Sequence, residues 1–186
     1  MNNCVADSSF YICWTDDMNK RICIHEFLSF YQFYIGETIL NEISSSHSSD
    51  NEFKSKVQKL NYDYTVLFKP LIKGKLDKGE FEAIGIAKNL FEKGELKHLI
   101  LDDGPARNLL KRNFPELEDK QCGTVGFVRE CYFDQNISKD KAIKTLEAMK
   151  KKIINNTNEK KRICSMNPND YANIIDPTIE EIKRGF

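Results

Sequence analysis

The sequence predicts an α/β fold in which a central parallel sheet of short strands is flanked by helices. Short apolar segments at 3–7, 32–35 and 98–101 alternate with longer segments whose apolar residues recur at helical spacing. Strands and helices that alternate along a chain typically form a parallel sheet. Size agrees with this, because 186 residues of which 40% are hydrophobic can build one core of that kind.

Most elements carry a local signal in the sequence. Ser8 and Ser9 can cap the helix that follows the first strand, and Ser138 can cap a long helix near the end of the domain. Gly36 interrupts the chain after the second strand, and Gly94 ends a helix. The expected helices cover 10–14, 20–30, 37–44, 51–75 with interruptions, 77–93, 105–113, 123–133 and 139–153, and a further short strand lies at 120–122.

The chain is expected to have two parts, a domain at 1–153 and a C-terminal tail or arm at 154–186. The second part is rich in Asn, Lys and Pro and lacks a strong helical period, so we expect it to pack loosely. Only a short helix, at 178–184, is expected near its end. Within the domain, the Ser-rich stretch at 44–50 is expected to be a loop.

Composition excludes several classes of protein. With 28 Lys and Arg against 28 Asp and Glu, the chain is no polycation of the histone or ribosomal type. It shows no signal-peptide pattern and no apolar run of about 18–20 residues, so we expect a cytoplasmic protein without a membrane partner. The six cysteines and three histidines lack zinc-site spacing, and the cysteines are expected to be reduced thiols.

Acidic residues follow two of the predicted strands. Asp7 ends the first strand, and the adjacent Asp102 and Asp103 follow the strand at 98–101. Open parallel sheets bind their ligands at the carboxyl ends of the strands. Further acids that could reach this rim are Glu42, Glu80 and Glu82. Clustered carboxylates repel one another unless a cation lies among them, and such hard oxygen ligands favour Mg²⁺ or Mn²⁺ over zinc.

Five motifs occur in order between residues 3 and 134. They are VADSS at 5–9, IGETILNEI at 35–43, GEFEAIGIA at 79–87, LDDGPAR at 101–107 and GTVG at 123–126. Together they resemble the PIN-domain family, compact α/β metal-dependent ribonucleases that include the VapC-type toxins. The similarity is greatest to a prokaryotic subgroup with a G-E-x-E-A-I motif. The connection after Glu42 and the chain beyond about residue 153 are longer than in the small toxins.

The resemblance implies a role for each matching residue. Candidate catalytic and metal-binding acids are Asp7, Glu42, Glu80 and Asp102, with Glu82 and Asp103 as competing metal ligands. Glu80 and Glu82 point to different sides of a helix, so spacing alone does not choose between them. Ser9 matches a polar position that helps to hold the metal or its water, and Arg107 matches a basic position that can face a phosphate.

The function that this resemblance implies is metal-dependent hydrolysis of phosphodiester bonds, with RNA as the expected substrate. One or two Mg²⁺ or Mn²⁺ ions would activate water and stabilise the leaving oxygen. A basic segment at 138–162, with nine basic and three acidic residues, is either a solvated surface or an RNA footprint. The resemblance also allows a toxin with a protein antitoxin, and a homodimer. The alternatives are a PIN-like RNA-binding or partner-binding module without turnover, and, ranked lower, a phosphotransfer domain.

Overall fold

The protein is built around a five-stranded sheet in which all strands are parallel, and helices flank it, as the sequence predicts. The structure is a computed structural model that describes residues 2–47, 49–68, 78–156, 162–167 and 169–185. The strands are β1 (Asn2–Ala6), β2 (Tyr31–Ile35), β3 (Gln58–Lys59), β4 (Leu96–Ile100) and β5 (Gln121–Cys122). Of these, β3 lies where the sequence predicts helix.

The described helices connect the strands and extend beyond the sheet. They are α1 (Ser8–Ile12), α2 (Arg21–Phe30), α3 (Glu37–Glu42), α4 (Ser44–His47), α5 (Asn51–Lys56), α6 (Thr65–Phe68), α7 (Lys78–Glu92), α8 (Gly104–Asn113), α9 (Thr124–Phe133), α10 (Lys139–Ile154) and α11 (Asp170–Arg184). A π-helical turn, Cys13–Asp17, continues α1, and a 3₁₀ helix, Pro115–Lys120, precedes β5. The end of the predicted helical segment 51–75, beyond residue 68, and the start of the predicted helix 77–93 lie outside the described residues. None of the described helices combines the length and apolar character needed to span a bilayer.

Strand order determines where the sheet can bind a ligand. The order is β3-β2-β1-β4-β5, so the chain builds outward from β1 in one direction and then returns to the other side of β1 with β4. Val5 of β1 pairs with Tyr34 of β2 and with Leu99 of β4. A doubly wound sheet of this kind binds ligands outside the carboxyl ends of its strands, at the point where the order reverses. Here that point lies between β1 and β4.

The core is largely aromatic and lies between the sheet and the helices that cover it. Phe10 on α1 stacks on Phe33 of β2 at a ring-centroid distance of 5.6 Å and meets the edge of Phe127 of α9 at 5.4 Å. In β1, Cys4, Val5 and Ala6 are all fully buried, because helices cover both faces of the sheet. This packing holds the start of α1, and therefore the end of β1, in a fixed position.

The C-terminal part is more ordered than the sequence predicts. Helix α11 is 15 residues long, and its buried Ile175, Ile179 and Ile182 lie on one face that packs against α9 and α10. The sequence predicts a loosely packed tail with a helix only at 178–184. The difference arises because Pro177, a residue that usually interrupts helices, lies inside α11 and conceals the apolar spacing.

Two smaller expectations also differ from the structure. Ser44–His47 forms a single helical turn where a loop was expected. The expectation that all six cysteines are reduced is wrong for one pair, because Cys13 and Cys164 form a disulfide across 151 residues of sequence. The four free cysteines are Cys4, Cys23, Cys122 and Cys131. Spacing along the chain gives no signal for a pair so far apart, so only the folded chain brings the two thiols together.

Candidate active site

Asp7 lies directly after β1, at the point where the strand order reverses. Its side chain is almost fully buried, at 1% exposure, and Oδ1 accepts the backbone N–H of Phe10 over 3.1 Å. Asp7 is thus the N-cap of α1, a common position for aspartate. Its own N–H donates to the carbonyl of Ile100 at the end of β4 over 3.1 Å. The carboxylate is therefore held by two neighbouring strands and the start of a helix.

Asp102 lies two residues after β4 and meets Asp7 across this strand boundary. The backbone N–H of Asp102 donates to Asp7 Oδ2 over 3.3 Å. The carboxylate of Asp102 accepts two hydrogen bonds from Thr124, which lies at the start of α9. The Thr124 N–H donates to Oδ1 over 2.8 Å, and the Thr124 hydroxyl donates to Oδ2. Thr124 is fully buried, so both hydrogen bonds come from a residue of the core. Two of the predicted acids are therefore brought together as adjacent parallel strands require.

The environment of this pair disfavours two negative charges. Burial, reinforced by the charge of Asp102, raises the pKa of Asp7 well above its usual range. Burial also raises the pKa of Asp102, although the hydrogen bonds from Thr124 and the charge of Arg107 act in the opposite direction. Adjacent carboxyls of this kind are stabilised when they share a proton or a cation. The pair consequently has the electrostatic character of a binding site for positive charge.

A cavity of about 670 Å³ opens beside Asp102 and gathers several of the other predicted residues. Ser9, Glu80 and Asp103 line it together with Asp102. The charge of Glu80 contributes to the raised pKa of Asp7, so this acid is electrostatically part of the same site. Asp103 also accepts the N–H of Ala106 over 2.8 Å and thereby caps α8.

The carboxylates of Glu82 and Glu42 form hydrogen bonds that link α3 and α7. The carboxylate of Glu82 is buried and accepts the N–H groups of Thr38 and Ile39, over 3.1 and 2.9 Å, at the start of α3. In return, Glu42 at the end of α3 accepts the N–H of Gly79 over 3.1 Å at the start of α7. Each helix thus supplies a carboxylate to the amino end of the other, where it also meets the favourable end of the helix dipole.

Two glycines in the sequence motifs are explained by this reciprocal capping. A Cβ atom on Gly36 would lie 2.1 Å from Cδ of Glu82, and one on Gly79 would lie 2.2 Å from Oε2 of Glu42. Both carboxylates approach the backbone so closely that a larger residue would displace them from these hydrogen bonds. Of the two competing acids on α7, Glu80 therefore faces the cavity while Glu82 is engaged at α3.

Arg107 lies on the other side of Asp102, where it lines a second cavity of about 390 Å³. Its Nε donates to the carbonyl of Leu101 over 2.7 Å, and its Nη2 lies 3.8 Å from Asp102 Oδ1. A Cβ on Gly123 would lie 2.2 Å from that Nη2 atom, so the glycine leaves room for the guanidinium. The Arg107 side chain is 40% exposed, and its free edge can therefore reach an anion from solvent.

The basic segment is partly engaged with the rest of the protein. On α10, Lys150 pairs with Asp176 of α11 over 2.6 Å, and Lys141 pairs with Glu26. Lys144, Lys151 and Lys152 are exposed. The other predicted basic residues at 160 and 161 lie outside the described residues. The exposed lysines of α10 lie on a solvated face of the helix.

Several residues that shape the site have no role predicted from the sequence. The GTVG motif contains Thr124, but no role was assigned to it, and its position at the start of a helix after a short strand is the signal that could have found it. The cavity beside Asp102 is also lined by a set of residues from the π-helical turn and the C-terminal part, namely Asp17, Arg162, Ser165, Asn167 and Asp170. No local pattern connects those positions to the strand ends.

A hard divalent cation fits this site in chemistry and charge. Asp7 and Asp102 supply paired carboxylates that favour a cation, and Glu80 adds a nearby third acid. In the described part of the chain, no group of three or more acidic, His or Cys side chains is already arranged to ligate a metal ion. Asp7, Asp102 and Glu80 are the residues that could hold Mg²⁺ or Mn²⁺, and their side chains would have to move to ligate the ion together.

The fold and the site define a class of protein. It is an α/β protein with a doubly wound parallel sheet and a buried acidic pair at the point where the strand order reverses. The chain matches no protein-family model, no curated protein and no solved structure. Membership of the PIN-domain family therefore remains a prediction from the five sequence motifs.

Proposed function

We propose that this protein is a PIN-like nuclease that uses Mg²⁺ or Mn²⁺ to hydrolyse phosphodiester bonds, with RNA as its substrate. One observation carries the proposal: Asp7 and Asp102, on adjacent parallel strands, form a buried pair beside a cavity that Glu80 also lines. A buried acidic pair is costly to maintain, and perturbed acids of this kind are concentrated at functional sites. The motifs that contain these residues support the choice of chemistry, and the family resemblance supports RNA.

Each residue of the site has a physical task in this proposal. Asp7 and Asp102 would bind the cation, and the Phe10 and Thr124 groups that bond to them keep their oxygens oriented. When bound, the cation supplies Lewis-acid activation of water and neutralises charge on the phosphate. Arg107 would contact a phosphate oxygen of the bound RNA. Its guanidinium is partly exposed and lies 3.8 Å from the Asp102 carboxylate.

Cleavage of a labelled single-stranded RNA tests the proposal. Wild-type protein should cleave it in Mn²⁺ or Mg²⁺ and not in EDTA. Asp102→Asn should lose at least about a hundredfold in rate, because it removes one of the charges that would hold the cation. Asp119→Asn is a matched control, since Asp119 is exposed on the 3₁₀ helix and lines neither cavity.

The controls also exclude a contaminating nuclease, because all three proteins are purified in the same way. Equal cleavage by Asp102→Asn and Asp119→Asn would contradict the site assignment. Cleavage of DNA alone would keep the chemistry and overturn the choice of RNA. Cleavage that persists in EDTA would overturn metal dependence.

A binding module without turnover is the second candidate. It is favoured by the use of Glu42, Glu82 and Asp103 as helix caps, which leaves fewer acids for a preformed metal centre. If this candidate is correct, the wild-type protein retards RNA in a gel without cleaving it, and calorimetry with Mn²⁺ gives no binding heat. RNA binding together with Mn²⁺ binding and turnover rejects it.

A further inference from the structure

A tight turn in the C-terminal part of the chain lies against the start of the protein. We call residues 162–167 the tethered turn. Ile163 and Met166 form an isolated antiparallel bridge, and the N–H of Met166 donates to the carbonyl of Ile163 over 3.0 Å. The two central residues, Cys164 and Ser165, have φ values of 49° and 59°. Positive φ at both central positions is typical of a type I′ turn.

Two contacts tie this turn to the π-helical turn that follows α1. The first is the disulfide between Cys164 and Cys13, whose residues are 1% and 0% exposed. The second is a hydrogen bond of 2.7 Å from the N–H of Cys164 to Oδ2 of Asp17, a carboxylate that is itself buried. Both contacts act on the same residue, so Cys164 is the anchor of the turn.

The conformation of the turn depends on that anchor. Type I′ turns are usually formed by Gly, Asn or Asp, because other residues are strained at positive φ. Cys164 and Ser165 lack this preference. A strained backbone conformation persists only where its surroundings determine it, and here the disulfide and Asp17 are the surroundings. Loss of the disulfide therefore removes the main restraint on the turn.

The tethered turn also forms a wall of both cavities. Arg162, Ser165 and Asn167 line the cavity that contains Glu80 and Asp102. Cys164, Ser165 and Met166 line the adjoining cavity that contains Arg107. A change in the position of this turn consequently changes the access of solvent and ligands to the acidic pair.

We propose that Cys13 and Cys164 form a redox-responsive tether, which holds the tethered turn as a wall of the acidic cavity in the disulfide form and releases the turn in the dithiol form. The co-reactant is a dithiol. Its thiolate attacks one sulfur, the S–S bond breaks, and two electrons and two protons pass to the protein, leaving Cys13 and Cys164 as thiols and the reagent as a disulfide. The reverse exchange with an oxidised dithiol restores the tether. The proposal is independent of whether the site is a nuclease.

Peptide mapping and hydrogen exchange test the tether directly. The full chain is folded and purified either in dithiothreitol or in its oxidised form and mapped without further reduction. The oxidised sample should contain a peptide that links Cys13 to Cys164 and four alkylatable cysteines, and the reduced sample should contain six. The amides of Cys164 and Met166 should exchange at least about tenfold faster in the reduced sample.

Two controls separate release of the turn from general unfolding. The N–H of Leu101, bonded to Cys122 in the sheet, should stay protected in both samples over the period in which the amides of Cys164 and Met166 exchange in the reduced sample. Cys23→Ser, which changes a free and half-buried cysteine on α2, should leave the exchange at Cys164 unchanged in the oxidised sample.

Further outcomes decide the proposal even where reduction fails. If dithiothreitol does not break the bond, the redox response is overturned, and the double variant Cys13→Ser, Cys164→Ser then shows only whether loss of the bond releases the turn in a chain that circular dichroism shows to be folded. Six alkylatable cysteines in the oxidised sample overturn the proposal. Equal exchange at Cys164 and Met166 in the tethered and released forms also overturns it, and so does exchange of the Leu101 amide as fast as those two amides in the released form, which would indicate that the whole fold opens.

Discussion

The backbone N–H of Asp102 donates a hydrogen bond to Asp7 Oδ2 over 3.3 Å, so the main chain joins two acids whose charges repel each other. They are 95 residues apart in sequence and come together because β1 and β4 are neighbours in the sheet. The peptide group holds the pair in place while burial raises the pKa of both carboxyls. This combination has a measurable consequence for stability.

Asp102→Asn should stabilise the metal-free protein above neutral pH. The pKa values of both acids are higher in the folded state than in the unfolded state, so the folded protein binds more protons. It therefore loses stability as the pH rises from the pKa of the unfolded acids through the raised pKa of the folded ones. Asparagine removes one charge and can still accept from the Thr124 N–H and donate to its hydroxyl. The gain should be on the order of 1 kcal/mol in urea unfolding at pH 8 in EDTA.

The pH dependence distinguishes this mechanism from a general effect. The advantage of Asp102→Asn should shrink as the pH is lowered, because protonation of the pair relieves the repulsion, and Asp119→Asn should show no advantage at any pH. An Asp102→Asn protein that is less stable than wild type at pH 8 would show that the pair is not repulsive.

His47 should make the protein less stable in mild acid. It is 3% exposed and packs on Phe53 at a centroid distance of 4.3 Å, and neither ring nitrogen has a hydrogen-bond partner among the described residues. Burial lowers its pKa, and the nearby Asp50 only partly opposes this. The stability that depends on a neutral His47 is therefore fully present above the pKa of this side chain in the unfolded state, about 6.5. It falls as the pH decreases below that value.

His47→Leu tests this, because leucine cannot take up a proton. Between pH 7 and pH 5, the thermal midpoint of wild type should fall further than that of the variant. His98, whose pKa burial also lowers, contributes in the same direction in both proteins and cancels from the comparison. Parallel decreases in the two proteins would assign the acid sensitivity to other groups.

Removal of Glu82 should weaken the connection between α3 and α7. Glu82→Ala leaves the N–H groups of Thr38 and Ile39 buried without an acceptor, which costs about 1–3 kcal/mol in urea unfolding. The exposed Glu37 on the first turn of α3 is the control, and Glu37→Ala should change stability by less than about 0.5 kcal/mol. In the nuclease assay, Glu82→Gln should retain cleavage. Loss of cleavage in a stable Glu82→Gln protein would make Glu82 a metal ligand after all.

Reduction of the disulfide should lower the free energy of unfolding by about 2–5 kcal/mol. The bond joins residues 151 positions apart and thereby restricts the unfolded chain. Urea unfolding of the oxidised and reduced proteins measures the difference. The double variant Cys13→Ser, Cys164→Ser should show no response to dithiothreitol. A similar response in that variant would place the effect at another site.

Arg107→Gln should weaken RNA binding, if RNA is the ligand, by several fold at low salt. The loss of affinity should be similar for all RNA sequences. The slope of log affinity against log salt concentration should decrease by about one released ion, as expected for one phosphate contact. Arg112→Gln is the control, since Arg112 is exposed on α8 but lines neither cavity. Titration of labelled RNA at several salt concentrations measures both quantities, and equal slopes for wild type and Arg107→Gln would remove Arg107 from the interface.

Much of the architecture follows from local pattern. Alternating short apolar segments and helical periods predict a parallel sheet, and the ends of β1 and β4 are marked in the sequence by Asp7 and Asp102. The motif glycines at 36 and 79 are also local signals, although their reason becomes clear only when Glu82 and Glu42 are seen against them. Local patterns succeed here because the period of apolar residues states which face of each element is buried.

The sequence by itself therefore determined the fold class and the strand ends that carry Asp7 and Asp102. Only the tertiary structure decided that Glu80 lies at the cavity while Glu82 caps a helix, and that Cys13 meets Cys164. Those outcomes depend on strand order and on how whole helices pack, and neither is encoded in the spacing of neighbouring residues. Contacts across 95 or 151 residues form only when the rest of the chain holds both partners in place.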